Sequence, residues 1–169
     1  MKTLVLSFFL FFSMLISFGQ EKTKQQIKEE QKLAKQKKVE VLVDSKEFEF
    51  EGQMAYPQGG RSIDLTTNQN YLRFKNDSIY SEMPYFGRAY SGVAYSTGGG
   101  GLSFKGPVQK FSITKNKKDF TVKAEVRDNS DYYSVVLTVY FDGGASLSIN
   151  SNNRNSISYR GHIDELKKK

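Results

Sequence analysis

From Phe48 to Ile163 the apolar residues fall on every second position, run after run. A chain with that period places one face of each run on a core and the other in water, which is how antiparallel strands are built. Phe48-Glu49-Phe50-Glu51 begins the pattern, and Leu102-Ser103-Phe104, Phe111 with Ile113, and Phe120, Val122, Ala124 and Val126 continue it. Tyr133, Val135, Leu137, Val139 and Phe141 follow in phase, then Ala145, Leu147 and Ile149, and finally Ile157, Tyr159 and Ile163. Ile63–Leu65, Tyr71–Phe74 and Ser78–Tyr80 are shorter extended pieces, and Leu102–Phe104 and Val108–Thr114 read as two separate strands. Lys75-Asn76-Asp77, Lys115–Asp119, Arg127–Asp131 and Asp142-Gly143-Gly144 supply polar turns between them. Connections this short join neighbours in an antiparallel meander.

The segment before Phe48 has another character. No Pro or Gly occurs from Glu21 to Gln53 apart from Gly52, and Lys, Gln, Glu and Ala are good helix formers. Ile27, Ala34 and Val41 share one side at a spacing of seven. The apolar end, Val39, Leu42 and Val43, is expected to dock, with Asp44-Ser45-Lys46 ending the helix. The expected fold is α+β: an N-terminal helix over residues 20–45 packed on a strongly twisted antiparallel β-meander or half-barrel of about eight strands, spanning 46–166, with 167–169 a basic tail. A half-barrel leaves a concave face for a ligand.

Residues 1–19 have the form of a secretory signal peptide: Met1-Lys2, an apolar run from Leu4 to Phe18, and small residues at Ser17 and Gly19 before the expected cleavage point. The apolar run, about 15 residues, is short of the roughly 20 that span a bilayer. The mature protein is therefore expected to be periplasmic or secreted. With 169 residues the chain is one domain's worth. The formal net charge is +7, and it sits at the ends. Residues 21–38 carry seven Lys against three Glu and residues 167–169 carry three Lys, while 39–166 hold 14 basic and 15 acidic side chains. A body without basic excess lacks the footprint of a nucleic-acid groove. The basic ends suit loose attraction to an anionic membrane surface.

The chain has no Cys and one His, His162. Thiol nucleophiles, disulfides and Cys-held metals are excluded. G-x-S-x-G and H-E-x-x-H are absent. Ser112-Ile113-Thr114-Lys115 matches S-x-x-K by letter, on an alternating strand rather than a helix start. Asp128 and Asp131 lack the Gly and terminal Glu of a calcium loop and read as a hairpin turn. Catalytic residues, metal ligands and cofactors are therefore assigned none, and no reaction is indicated.

Two stretches break the strand pattern. Residues 83–101 form a long aromatic and glycine-rich connection, and long ordered loops carry function more often than short ones. Tyr85, Phe86, Tyr90 and Tyr95 can line a pocket mouth there, with Arg88 as the charge. On the other reading, Pro84 and Phe86 plug the sheet's open end and Arg88 pairs with a carboxylate. Gly98–Gly101 does not have the spacing of a phosphate loop. The second stretch is the last hairpin, where Arg154 and Tyr159 can meet the Tyr85–Arg88 loop and take an acidic or hydroxylated ligand. There too a structural reading stands: Asn152-Asn153-Arg154 makes the turn, and Arg154 braces the loop through backbone carbonyls.

Leu-Thr-x5-Leu (65–72), Met-Pro-Tyr-Phe-Gly-Arg-Ala-Tyr (83–90), Gly-Leu-x-Phe (101–104) and Ser-Asn-Asn-Arg-x-Ser-Ile-Ser-Tyr-x-Gly (151–161) resemble an exported bacterial family of unknown function, domain-of-unknown-function family 4251. The likeness covers about 40–163, with Met83 where that family usually has Leu. It implies export and this type of fold, and it brings no activity, ligand or catalytic residue. The expected function is a non-catalytic periplasmic binding module for a small ligand, lipid or peptide, using Tyr85, Phe86, Arg88, Tyr90, Tyr95, Arg154 and Tyr159. The alternative is a structural envelope protein that docks a protein partner through the 83–101 loop.

Overall fold

Thr23 starts the helix. Its N–H donates to Gln26 Oε1 at 3.0 Å and its hydroxyl accepts the Gln26 N–H at 3.4 Å. This is a capping box, which satisfies backbone donors that the first turn leaves free. In the computed structural model, which describes residues 23–90, 100–128 and 131–167, the helix α1 is Lys24–Ser45. The proposed signal peptide and Tyr95 lie outside the described residues. The chain divides into two units after Gln31. Among the described residues the first holds Thr23 and the first turns of α1, and the second holds everything from Lys32 onward.

Within the second unit, Val39 and Val43 are buried and Leu42 packs beside them, as the apolar pattern led one to expect. The Ser45 hydroxyl donates to the Leu42 carbonyl at 2.7 Å. Lys46, at φ 56°, takes the left-handed turn that ends the helix and aims the chain into the sheet.

Nine strands follow: β1 Glu47–Pro57, β2 Ile63–Asp64, β3 Tyr71–Lys75, β4 Ser78–Met83, β5 Leu102–Lys115, β6 Asp119–Arg127, β7 Tyr132–Tyr140, β8 Gly144–Ser151 and β9 Ile157–Asp164. From β3 to β9 each strand lies beside the next, a meander. The sheet then closes. One edge of β1 pairs with β3 through residues 47–50, and its other edge pairs with β9 from Glu49↔Asp164 to Pro57↔Ile157. The result is an antiparallel barrel of β1 and β3–β9, with β2 added beside Met54 and Ala55. The expected half-barrel is thus a closed barrel, and the expected open concave face is its interior. Closure removes the two free edges that an open sheet would expose.

One glycine makes the seam possible. A Cβ on Gly161 would lie 1.9 Å from the Glu51 carbonyl oxygen and 2.9 Å from Gly52 Cα. Next to this seam β1 carries a bulge between Gly52 and Met54. There the buried Asn70 side chain stands in for a strand: Gly52 N–H donates to its Oδ1 at 2.8 Å, and its Nδ2 donates to the Gly52 carbonyl at 3.0 Å.

The two strands expected at 102–104 and 108–114 are one. β5 runs continuously with an irregularity between Val108 and Lys110. Its first half pairs with β4 and its second half with β6. The Gly106-Pro107 pair that interrupts the alternation marks this exchange of partners, since proline brings no N–H to a ladder.

The inward residues of the barrel are the core. Phe48, Phe50, Leu72, Phe74, Ile79, Met83, Leu102, Phe120, Leu137, Leu147 and Tyr159 are each at most 2% exposed. An eight-stranded barrel is just wide enough for side chains to fill. Phe48 stacks on Phe74 at 4.6 Å, and Phe104 on Tyr133 at 4.0 Å. The end of α1 lies at one mouth. Asn76, in the β3–β4 turn, donates its N–H to the Lys46 carbonyl at 3.2 Å, Lys115 pairs with Glu40, and Lys38 lies 3.5 Å from Glu165. The opposite mouth carries the connection after β4 and the segment between β8 and β9.

Candidate binding rim

β4 and β8 both run from the helix end of the barrel to the opposite mouth, so the residues that follow them meet there. Ala89 forms an isolated antiparallel bridge with Arg154. Tyr90 N–H donates to the Asn153 carbonyl at 2.9 Å, and Asn155 N–H to the Arg88 carbonyl at 3.0 Å. Residues 88–90 and 153–155 thus form a short two-stranded clasp.

Three side chains of the predicted set lock it. The Tyr85 hydroxyl lies 2.9 Å from the Arg88 carbonyl and 3.1 Å from the Asn155 carbonyl, sharing its proton between the two sides. Arg154 Nη1 donates to the carbonyls of Gly101 at 2.9 Å and Gly100 at 3.3 Å, and its guanidinium stands 5.0 Å from the Tyr85 ring centre. Tyr159, inside the barrel on β9, donates its hydroxyl to the Pro84 carbonyl at 2.7 Å. Arg154 therefore braces the loop through carbonyls, one of the two readings of its sequence.

The other three predicted residues among those described, Phe86, Arg88 and Tyr90, face solvent. Phe86 is 41% and Tyr90 70% exposed, and Arg88 is also exposed. Phe86 does not plug the mouth; Tyr85, Tyr159 and the Phe104–Tyr133 stack occupy that region instead. The structure brings Tyr85, Phe86, Arg88, Tyr90, Arg154 and Tyr159 to one rim, with the first three and Tyr90 on one connection. His162 sits on the outward side of β9, opposite Glu51.

Asp131 was read only as a turn residue. Its carboxylate accepts the Tyr132 N–H at 2.7 Å, the Asn152 N–H at 3.2 Å and the Ser151 hydroxyl, tying the β6–β7 turn to the end of β8. A turn Asp gives no sign in sequence of reaching twenty residues ahead. Among the described residues no three His, Cys, Asp or Glu side chains gather as a metal site.

Tyr85, Tyr133 and Tyr159 are held neutral. Burial pushes the Tyr133 phenol up to about 12, with the Asp131 carboxylate adding to it. Burial raises Tyr159 further, and raises Tyr85 while the Arg154 charge pulls it part of the way back. The unfolded chain loses these protons near the ordinary value of 10.0. Above that pH the unfolded state binds fewer protons than the folded one, so stability is fully present below pH 10 and falls as pH rises toward about 12. Phenolate absorbance and circular dichroism recorded together should show the ionisation of the buried tyrosines rising in step with unfolding. Tyr159→Phe leaves the Pro84 carbonyl without its donor and should cost roughly 1–2 kcal/mol, or about 2–8 °C in Tm. An unchanged Tm in that variant would mean that water replaces the hydroxyl.

A family model described as "Domain of unknown function (DUF4251)" matches residues 29–163. A crystal structure of a DUF4251 family protein from Bacteroides eggerthii is similar to this fold, with a TM-score of 0.61 at 18% sequence identity, covering 78% of this chain and 88% of that one. At that identity the likeness speaks for the fold. No curated protein matches the chain. With most of its length, all nine strands but for Asp164 at the end of β9, spanned by the match, the chain belongs to the DUF4251 family of domains of unknown function.

Proposed function

We propose that the protein is an exported, non-catalytic binding module that recognises a small ligand, lipid or peptide at the rim of its barrel rather than inside it. The observation that carries this reading is the clasp: Tyr85, Arg154 and Tyr159 fix the connection after β4 while Phe86 and Tyr90 stay exposed beside Arg88. Holding large aromatics in water on a braced loop costs little further ordering when a partner arrives. The interior, occupied by the core, leaves the rim as the surface for recognition. That same filled interior favours a second reading, in which the rim docks an envelope protein.

The experiment is native mass spectrometry of the protein recovered gently from the periplasm. The chain mass is expected to begin at Gln20; a mass that includes residues 1–19 would overturn the export step. An adduct held by the wild type and released on denaturation is expected to be lost from the Phe86→Ala/Tyr90→Ala double variant, at least about tenfold in occupancy, with Tm unchanged. Retention by that variant would move recognition away from the rim. A protein partner crosslinked at residues 84–90, in place of an adduct, would favour docking.

A further inference from the structure

Among the described residues three buried side-chain polar atoms have no hydrogen-bond partner: Arg154 Nε, Asn155 Oδ1 and His162 Nδ1. Buried polar groups are nearly always paired, so each exception asks for an explanation. Two of the three fall on adjacent residues of the rim clasp. One is a donor on a permanent cation and the other is an acceptor.

The geometry of Arg154 says what would complete it. Its Nη1 is committed to the carbonyls of Gly100 and Gly101. The other edge of the guanidinium, Nε with Nη2, is a flat pair of parallel donors, which matches the two oxygens of a carboxylate. Among the described residues no carboxylate forms an ion pair with Arg154, although Lys38, Arg73, Lys110, Lys115 and Lys167 all have one. Its close neighbour is the Tyr85 ring, at 5.0 Å from the ring centre, and a neutral ring does not cancel a cation's charge. Arg88, also exposed on this rim, adds a second positive charge.

We propose that Arg154 anchors a subsite for a free carboxylate, that Asn155 Oδ1 accepts a neighbouring N–H, and that the ligand is the C-terminal end of a peptide. The last residue of a peptide carries all three parts required: the carboxylate for Arg154, the amide N–H for Asn155, and a side chain to lie against Phe86 and Tyr90. This rests on the rim being the recognition surface and names what it recognises. The point charge and rotating donors of a lysine would not give the same planar match.

The test is a titration of the isotope-labelled mature chain, followed by amide NMR shifts, with N-acetyl-phenylalanine, its C-terminal amide and glucuronate as separate probes. The free acid is expected to shift residues 85–90 and 153–156 saturably, and the amide to bind at least about tenfold more weakly. Arg154→Lys, which keeps the charge, should weaken the acid by about tenfold. Because that variant also loosens Gly100 and Gly101, Asn155→Ala is the second: its backbone carbonyl still meets Tyr85, so the spectrum should keep its dispersion while the acid binds several-fold more weakly. Equal binding of acid and amide at the rim would overturn the carboxylate subsite and leave the rim as a recognition surface. Glucuronate binding there without the acid would overturn the peptide end. No rim shift with the acid would overturn the proposal outright, while the Phe86→Ala/Tyr90→Ala experiment decides the rim separately.

Discussion

Gly161→Ala is expected to break the barrel at its seam. The added methyl would sit 1.9 Å from the Glu51 carbonyl oxygen and 2.9 Å from both Glu51 C and Gly52 Cα, all of them backbone atoms of the facing strand. A side chain in the way can rotate; a paired backbone cannot. To admit the methyl, β9 must move off β1 around Gly52↔Gly161, in the middle of the pairing that closes the sheet. Overpacking of this kind costs about 3 kcal/mol or more, which lowers Tm by roughly 6–12 °C in a domain of this size. Gly100→Ala is the matched control: among the described residues nothing lies within 4 Å of the methyl it would add, and Tm should stay within about 2 °C. If the two variants melted alike, the β1–β9 contact would not be what holds the barrel closed.

That seam is also where reading the sequence stopped short. The period-two alternation located every strand of the meander, because burial on one face is written residue by residue. Closure is written nowhere in that pattern. It depends on β1 being long enough to meet β3 with one edge and β9 with the other, and on Gly161 letting two backbones touch. The join of Leu102–Phe104 with Val108–Thr114 was missed for a related reason: Gly106-Pro107 looks like a break, and here it is the point where one strand changes neighbours.

The rim divides in the same way. Period alone puts Tyr159 on the inner face with Ile157 and Ile163, and it is fully buried there. Arg154 could be read two ways, as a ligand contact or as a brace on carbonyls. Its Nη1 edge braces, and its Nε edge is what the proposed carboxylate would use. Phe86 gave no signal that separates a plug from an exposed contact, because an aromatic in a loop has no period to follow. Tyr95 lies outside the described residues.

Arg73→Ala should cost about 3 kcal/mol, through a residue that strand alternation assigned to water. Glu49 lies between Phe48 and Phe50 in sequence and faces out of the barrel, yet it is only 3% exposed. Arg73, on the neighbouring strand, donates Nε to its Oε2, and Lys167 lies 3.5 Å from its Oε1. Arg73 also stacks over Tyr71, 3.7 Å from the ring centre, so the guanidinium is held in place before it meets the carboxylate. Removing Arg73 leaves a covered carboxylate with one exposed lysine, and stranding a buried charge typically costs about 3–5 kcal/mol. Lys167 keeps the expectation at the low end of that range. The pair itself need not stabilise the fold, because both charges were taken out of water to make it. Arg73→Met/Glu49→Leu should therefore recover most of the loss, to within about 1 kcal/mol of the wild type. Urea unfolding of the wild type, Arg73→Met, Glu49→Leu and the double variant measures the coupling directly, with Arg73→Ala run beside them. If Arg73→Ala cost less than about 1 kcal/mol, Glu49 would be hydrated despite its low exposure, and the pair would count as a surface ion pair.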